Sequence, residues 1–599
     1  MTDISQPSPI ASIYTERKAA RLATAAALAE RLDRLSYARL GVFLLTLAVA
    51  GLGFGTEYLS PWFALLPLLG FMYLVAKFEM TRGRKAWAER AAAFYTSGLN
   101  RLAGEPGGIS DGARFASETH PYANDLDLFG PGSVFERLTA CRTRVGEDTL
   151  AAWLLAPADP AEVKARQEAV TDLRPRLDLR EAIAVAGANV PAADYHPLAA
   201  WGAAAGEVQP QWKRWAVEVL GWANVLAWIG WFLVGTTSIP VMVFGLASLI
   251  IAIPLMPWAN RVLAPLEKVE NDLSLLETVL TWLEREQFTA PRLKRLQAAM
   301  AADSVLASAQ IRELRHLLEW YNARKNGLFA IVAVFRMWPV RFAYMLEAWR
   351  SRSGPAVARW LHAVGESEAL SSFAGYAFET PNNVFPTVEA GPVRLVATSV
   401  GHPLIPADRC VRNDVAIGGQ GAQVLLISGS NMSGKSTLLR AVGVNAVLAL
   451  AGGVVRATSL VLTPLSLGAT MRVQDSLQAG RSRFFAEVTK VRQLLDIAKA
   501  GGPPLLFLLD ELFSGTNSAD RVAGAEGVVR TLVAAGAIGF VTTHDLSLTG
   551  VAERLSGAVN VHFCDGFAGG ELKFDYTMRP GVVPHGNGLA LMRAVGLEV

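Results

Sequence analysis

Charge is what this sequence has little of: Asp, Glu, Lys and Arg make up 18% of its 599 residues, against roughly 25% in an ordinary soluble protein. Such a chain, with apolar side chains at 51% and a mean hydropathy of +0.28, is not disordered, and membrane segments are expected. The charges nearly cancel, 56 basic against 53 acidic. No global positive field therefore marks a nucleic-acid binder, and any such surface must be local. Cysteine is scarcer still. Cys141, Cys410 and Cys564 stand far apart in no metal-ligand spacing, which argues against a disulfide scaffold and a zinc site and fits a reducing compartment. No cleavable signal is read before the first apolar run. Single cores rarely grow past roughly 250 to 300 residues, so several domains are expected.

Long apolar runs are present. Residues 40–55 and 59–76 are apolar, broken only by Thr56, Glu57 and Tyr58, and each limb approaches the roughly 20 residues needed to span hydrocarbon. The pattern recurs at 219–235 and 239–259 across a Thr-Thr-Ser connection, with Trp215, Trp222, Trp231 and Trp258 near the ends, where interfacial tryptophan belongs. Arg34, Arg39, Lys77, Arg82, Arg84, Lys85, Lys213, Arg214 and Arg261 flank the outer ends, while the connections carry no basic residue. The positive-inside rule then places both termini and the middle of the chain in the cytoplasm. The alternative is two hairpins buried in a soluble helical protein, favoured by the short first limb and by Asn224. A further apolar stretch, 328–346, contains Arg336, Pro339 and Arg341; charge at the centre of a span is costly, so it reads as a buried helix.

The organisation follows. Residues 1–36 read as an N-terminal amphipathic helix, 37–80 as the first transmembrane hairpin, and 81–210 as a helical cytoplasmic module resembling a core. Residues 211–260 form the second hairpin and 261–378 a helical lever or core region of long amphipathic helices, broken at 351–355. In 379–599 short β-branched and apolar runs alternate with helices, which predicts an α/β sheet domain.

That domain carries the chemistry. The predicted strand 424–427 runs into Gly429-Ser-Asn-Met-Ser-Gly434-Lys435-Ser436 and then an apolar helix from Thr437, the full GxxxxGK[ST] in its required context. The glycines let backbone N–H groups and the helix N-terminus face phosphates, Lys435 neutralises the β and γ oxygens, and Ser436 ligates magnesium. A buried strand, 505–509, ends in Asp510 and Glu511. Asp510 is expected to hold magnesium through water and Glu511 to polarise the attacking water. The strand Val541-Thr-Thr ends in His544, placed to touch the γ-phosphate or that water. Gly480-Arg481-Ser482 precedes a helical pattern and suits a phosphate, that of a second subunit included.

Read together, ISGSNMSGKSTLLRAVG, DSLQAGRSRFFAEV, LLDELFSGTNSADR, TTHD and NVHF resemble the ATPase domain of the MutS family of DNA mismatch-repair proteins. The LSGGQ-type signature of transporter ATPases is absent. Looser similarity runs through Glu368-Ala-Leu, Gly401-His-Pro, Val411-Arg-Asn-Asp and Asp125-Leu-Asp-Leu-Phe-Gly. The resemblance implies an α/β P-loop NTPase (ABC/MutS-like) at 379–599 joined to an all-α core and lever region, while the two transmembrane helical hairpins are read from the apolar runs and depart from the family pattern. It implies ATP and Mg2+ as cofactors, held by Gly429, Ser430, Asn431, Met432, Ser433, Gly434, Lys435, Ser436 and Thr437, with Asp510 on the metal. Glu511 would be the base, His544 the γ-phosphate sensor, Ser482 the residue offered across a homodimer of ATPase domains, and Tyr576 a neighbour of the adenine. Nothing before Asn124 resembles a mismatch-reading domain.

The expectation is thus a membrane-anchored ATPase in the plasma membrane of a prokaryote, bound to lipid, dimeric through its ATPase faces and binding DNA without sequence preference. Arg336, Arg341, Arg350, Arg352 and Arg359 are the local basic cluster, the alternative being a solvated or core-capping helix. The rival is a membrane mechanochemical or scaffold ATPase that acts on a protein or lipid partner without DNA; transport fits less well, because the spans carry few ionisable groups.

Overall fold

The computed structural model describes residues 9–55, 60–105, 108–188, 193–207, 209–267, 269, 272–301, 305–325, 333–430, 432–471, 483–513, 516–568 and 571–583. The chain divides into two units, one of Met1–Gly107 with Leu177–Asn189, the other of Gly108–Arg176 with Val190–Val599.

In the first unit the helices Pro9–Gly55 and Leu65–Leu102 pack along one another. Their polar halves are pinned by close contact: a Cβ at Gly98 would lie 2.5 Å from the Tyr14 ring. The Tyr95 hydroxyl donates to Glu181, which also pairs with Arg21 at 2.8 Å. Their apolar halves behave differently, with Leu44, Phe54, Leu66 and Leu69 all exposed.

Among the described residues four helices are long and apolar enough to cross a membrane: Pro9–Gly55, Trp62–Leu102, Gln211–Val234 and Ile239–Glu267. At most 17% of the apolar window of any of them is buried in protein, so the hairpins are not the core of a helical bundle. The last two belong to the second unit and are joined through Gly235 in the left-handed region (φ 73). The Asn224 amide nitrogen is satisfied there, donating to Ser248 Oγ at 2.6 Å and Phe244 O at 3.3 Å on the neighbouring helix, as a polar group between apolar helices requires, while its Oδ1 has no partner among the described residues.

The helical part of the second unit is organised by one helix, Trp338–Glu379. The break expected at 351–355 is not there: the helix runs through Pro355. Proline removes one backbone bond, but the adjacent Gly354 lets the chain approach Gly202 so closely that a Cβ at Gly202 would meet Gly354 O at 2.8 Å. Packing of that closeness overrides local propensity. Shorter helices are started by side chains: Ser133 Oγ accepts from Glu136 N, Thr143 Oγ1 from Gly146 N, and Asp159 from Glu162 N with Pro160 at the first position.

Two buried titratable groups oppose each other in this unit. Glu368 accepts from Arg142 N (3.2 Å), Thr143 N (3.2 Å) and Thr143 Oγ1 (2.6 Å), yet burial outweighs these bonds and pushes its carboxyl up to about 7. Burial, with Arg440 and Arg456 nearby, pushes His402 down to about 4. The unfolded chain releases the Glu368 proton first, so that group makes stability fall as pH rises from about 4.5 to 7. The unfolded chain takes up the His402 proton first, so that group makes stability rise as pH climbs from about 4 to 6.5. The two slopes cancel over most of this range. In Glu368→Gln, thermal melting of the detergent-solubilised protein should therefore rise more steeply between pH 4.5 and 6.5 than in wild type. Parallel profiles would show that Glu368 is ionised in the fold.

The α/β domain holds two sheets. The smaller has the order β1 (Thr387–Val388), β5 (Ser459–Leu462), β2 (Arg394–Val400), β3 (Asn413–Gly418). The larger has the order β10 (Glu571–Pro580), β9 (Ala558–Ala568), β4 (Val424–Ser428), β8 (Ile538–Thr543), β7 (Leu505–Asp510), β6 (Ser466–Thr470), parallel except for the antiparallel β10. β4 and β8 are buried at every residue and β7 at all but its last, the texture of parallel strands covered on both faces. On one face Leu494 and Leu532, from helices Arg483–Lys499 and Ser518–Ala534, pack with Phe507, Leu509 and Val541. On the other, Gly443 of helix Lys435–Ala451 lies against Leu508.

Candidate nucleotide-binding site

Three adjacent parallel strands end together. The register pairs Ser428 of β4 with Thr543 of β8, and Thr542 of β8 with Asp510 of β7. The segments that follow these strands, 429–434, 511–513 and 544–545, therefore share one edge of the sheet, where ligands of open parallel sheets bind.

The loop after β4 turns on Gly429 (φ 150) and Gly434 (φ 105), with Met432 also left-handed (φ 69) and its side chain exposed. A Cβ at Gly429 would come within 2.9 Å of Ser433 Oγ and 3.0 Å of Phe563 O, so both the φ value and the space demand glycine. Lys435, buried, donates to Gly429 O (2.8 Å) and Ser430 O (2.7 Å), which draws the loop around its ammonium. Ser433 is buried, and its hydroxyl has no hydrogen-bond partner among the described residues. Ser436 is half-buried and Thr437 exposed at the start of the helix. Asn431 lies outside the described residues.

On β7 and β8 the structure joins three predicted residues and adds a fourth. The Thr542 hydroxyl donates to Asp510, and both the carbonyl and the hydroxyl of Thr542 accept from Glu511 N, at 3.3 and 3.1 Å. His544 Nδ1 lies 3.3 Å from Glu511 Oε1. Glu511 and Phe513 both have positive φ, 51° and 59°, a conformation costly for residues with side chains. Buried Glu487 holds it by accepting from Phe513 N. Thr542 escapes sequence reasoning because its partner is set by strand order, and Glu487 because its partner is set by how its helix packs on the sheet.

Tyr576 sits at a bulge in β10, where the register with β9 shifts between Phe574 and Met578. Asn413 fixes the bulge: its amide donates to Tyr576 O (3.0 Å), and its Oδ1 accepts from Met578 N (2.7 Å). The Tyr576 ring stacks on Phe574 at 5.9 Å and would lie 3.1 Å from a Cβ at Gly434, which puts an aromatic face beside the end of the loop. Ser482 lies outside the described residues.

Upstream, the Asp125 segment is clamped to this domain. Asp125 is buried, accepts from Met471 N at 2.7 Å, pairs with Lys490, and accepts through its carbonyl from Arg440 Nε at 3.3 Å. A Cβ at Gly443 would meet Leu126 at 2.6 Å.

Residues 425–598 match the family model for MutS domain V. The α/β domain is a MutS-family domain. Similarity to curated proteins covers between a third and a half of the chain. The chain is 35% identical over 204 residues to DNA mismatch repair protein MutS 2 of Haloarcula marismortui, which takes in 33% of this chain and 21% of that protein. It is 34% identical over 214 residues to DNA mismatch repair protein MutS of Brevibacillus brevis, 35% of this chain and 24% of that protein. It is 33% identical over 301 residues to DNA mismatch repair protein MSH6 of Arabidopsis thaliana, 47% of this chain and 22% of that protein. The chain thus spans less than a quarter of the length of these relatives. Within the MutS-family domain the residues suit a magnesium nucleotide: the loop is a cradle that a Cβ at Gly429 or Gly434 would fill, Lys435 supplies a cation, and Ser436 and Asp510 supply oxygen, the donor type magnesium prefers.

Proposed function

We propose that this chain is a membrane-anchored MutS-type ATPase that hydrolyses ATP in a head-to-head dimer. The observation that carries the reading is the convergence of the glycine loop, Asp510 with Glu511, and His544 on one edge of a MutS-family sheet. Magnesium, held by Ser436 and Asp510, would lend its charge to the β and γ phosphate oxygens. Lys435 neutralises the same oxygens, and the N–H groups between Gly429 and Thr437 position them. Glu511 accepts the proton of the attacking water. His544, beside that carboxylate, orients Glu511 and contacts the γ-phosphate. Tyr576 offers its face to the adenine, and Ser482 completes the nucleotide site of the opposite subunit.

The exposed apolar helices support anchoring in the plasma membrane, with the ATPase domain and both termini cytoplasmic. The relatives' names support DNA as the partner, gripped without sequence preference as the heads close and released on hydrolysis. The rival, a mechanochemical or scaffold ATPase working on a protein or lipid partner, is favoured by the arginine cluster. Arg336 and Arg341 pair with Glu218, Arg350 with Glu347, Arg352 with Glu313, and Arg359 donates to Ala299 O, so this segment offers DNA little open charge. Titration of the purified full chain in detergent with labelled duplex DNA at increasing salt separates the two. DNA binding predicts an affinity that falls steeply and log-linearly with salt and responds to ATP; absence of binding at low salt selects the rival.

A further inference from the structure

Where the second hairpin leaves its apolar stretch, the structure carries a basic cleft. It measures about 430 Å³ and is lined by Gln211, Arg214, Trp215, Glu218, Arg341 and Tyr344 among others. The charges are unequal. Glu218 accepts from Arg341 Nε at 2.7 Å and from Arg336 Nη2 at 3.1 Å, so one carboxylate serves two guanidiniums, while exposed Arg214 has no acidic partner among the described residues. A donor is also left over. The buried hydroxyl of Tyr344, in the cleft wall, has no hydrogen-bond partner among the described residues, whereas Arg336 is buried over the Trp222 ring at 4.2 Å, outside the cleft lining, and meets it only through Glu218. A buried donor without an acceptor is costly, and one in the wall of a cleft with surplus arginine charge describes a place that accepts an oxyanion.

The depth of the cleft selects the source. On the same helix Trp212, Trp215, Val219 and Trp222 are exposed, and the apolar run continues from there to Val234; aromatic side chains of this kind mark the headgroup level of a bilayer. We propose that Arg214, Arg341 and Tyr344 form a binding site for the phosphate of an anionic phospholipid at the cytoplasmic end of the second hairpin. This rests on the membrane reading and adds a lipid class to it. Glu218 holds the arginines in place, and its own charge weakens the site.

The test uses the full chain. Flotation with vesicles of phosphatidylcholine, and resistance to carbonate extraction, establish membrane insertion independently; failure of both overturns the membrane reading itself. With insertion established, native mass spectrometry in detergent compares retention of phosphatidylglycerol with that of phosphatidylcholine. The wild-type chain should prefer phosphatidylglycerol. Arg214→Gln should lower that preference about fivefold, the ~1 kcal/mol that one basic residue contributes at an anionic surface. Glu218→Gln should raise it, a gain that a misfolded variant cannot mimic. Arg84→Gln, an equal loss of charge flanking the first hairpin, should leave it unchanged. Equal retention of the two lipids, equal losses in Arg214→Gln and Arg84→Gln, or displacement of phosphatidylglycerol by equimolar inorganic phosphate would each overturn the site.

Discussion

Lys435→Ala should lower ATP turnover by roughly 10²-fold or more and abolish measurable nucleotide binding, while the melting temperature in detergent falls only slightly. Two losses combine. The loop is deprived of its point charge for the β and γ oxygens, and the carbonyls of Gly429 and Ser430, which now accept from Lys435 Nζ at 2.8 and 2.7 Å, lose the donor that draws them inward. Lys435→Arg restores the charge but should not restore the activity, because a planar fork cannot occupy the buried position of a single ammonium. Equilibrium binding of a fluorescent ATP analogue and steady-state phosphate release measure both effects. Wild-type binding and turnover in Lys435→Ala would remove the phosphate site from this loop.

Glu511→Gln should separate binding from chemistry. The amide keeps the shape of the side chain and can still accept near His544 Nδ1, which lies 3.3 Å from the present carboxylate, but it cannot take a proton from water. Hydrolysis should slow by about 10² to 10⁴-fold with ATP affinity unchanged. The left-handed backbone at this residue is set by Thr542 and by the Glu487 bond to Phe513, so the substitution should leave the local fold intact. In the proposed dimer the same variant should accumulate closed in ATP, seen as a shift to the dimer in size-exclusion chromatography. Unchanged turnover would move the base to another residue.

The positions of the glycine loop, the acidic pair and His544 at strand ends were legible in the sequence because each is short, contiguous and tied to the end of an apolar strand. What joins them was not. The Thr542 bond to Asp510 exists only because β8 lies between β4 and β7, an order that no local pattern encodes, and Asn413 reaches the Tyr576 bulge from a different sheet. The four apolar helices were legible from length and hydropathy alone. The continuity of Trp338–Glu379 through Pro355 was not, because the glycine that lets it pack lies against another far upstream in sequence. Nor could the arginine cluster be read from spacing, since Glu218 and Glu313 come to it from other helices.

The borders of the larger sheet carry one more consequence. At β6, Ala469 N already donates to Pro121 O, four residues before the clamped Asp125. At β10, the Asn413 side chain already occupies Tyr576 O and Met578 N. Unpaired strand edges invite uncontrolled end-to-end growth of sheets, and here each border has backbone groups engaged by the chain itself. Two copies of this domain are thereby discouraged from zipping together as a continuous sheet, and the proposed dimer, made and undone with each round of nucleotide, would use the edge where the strands end.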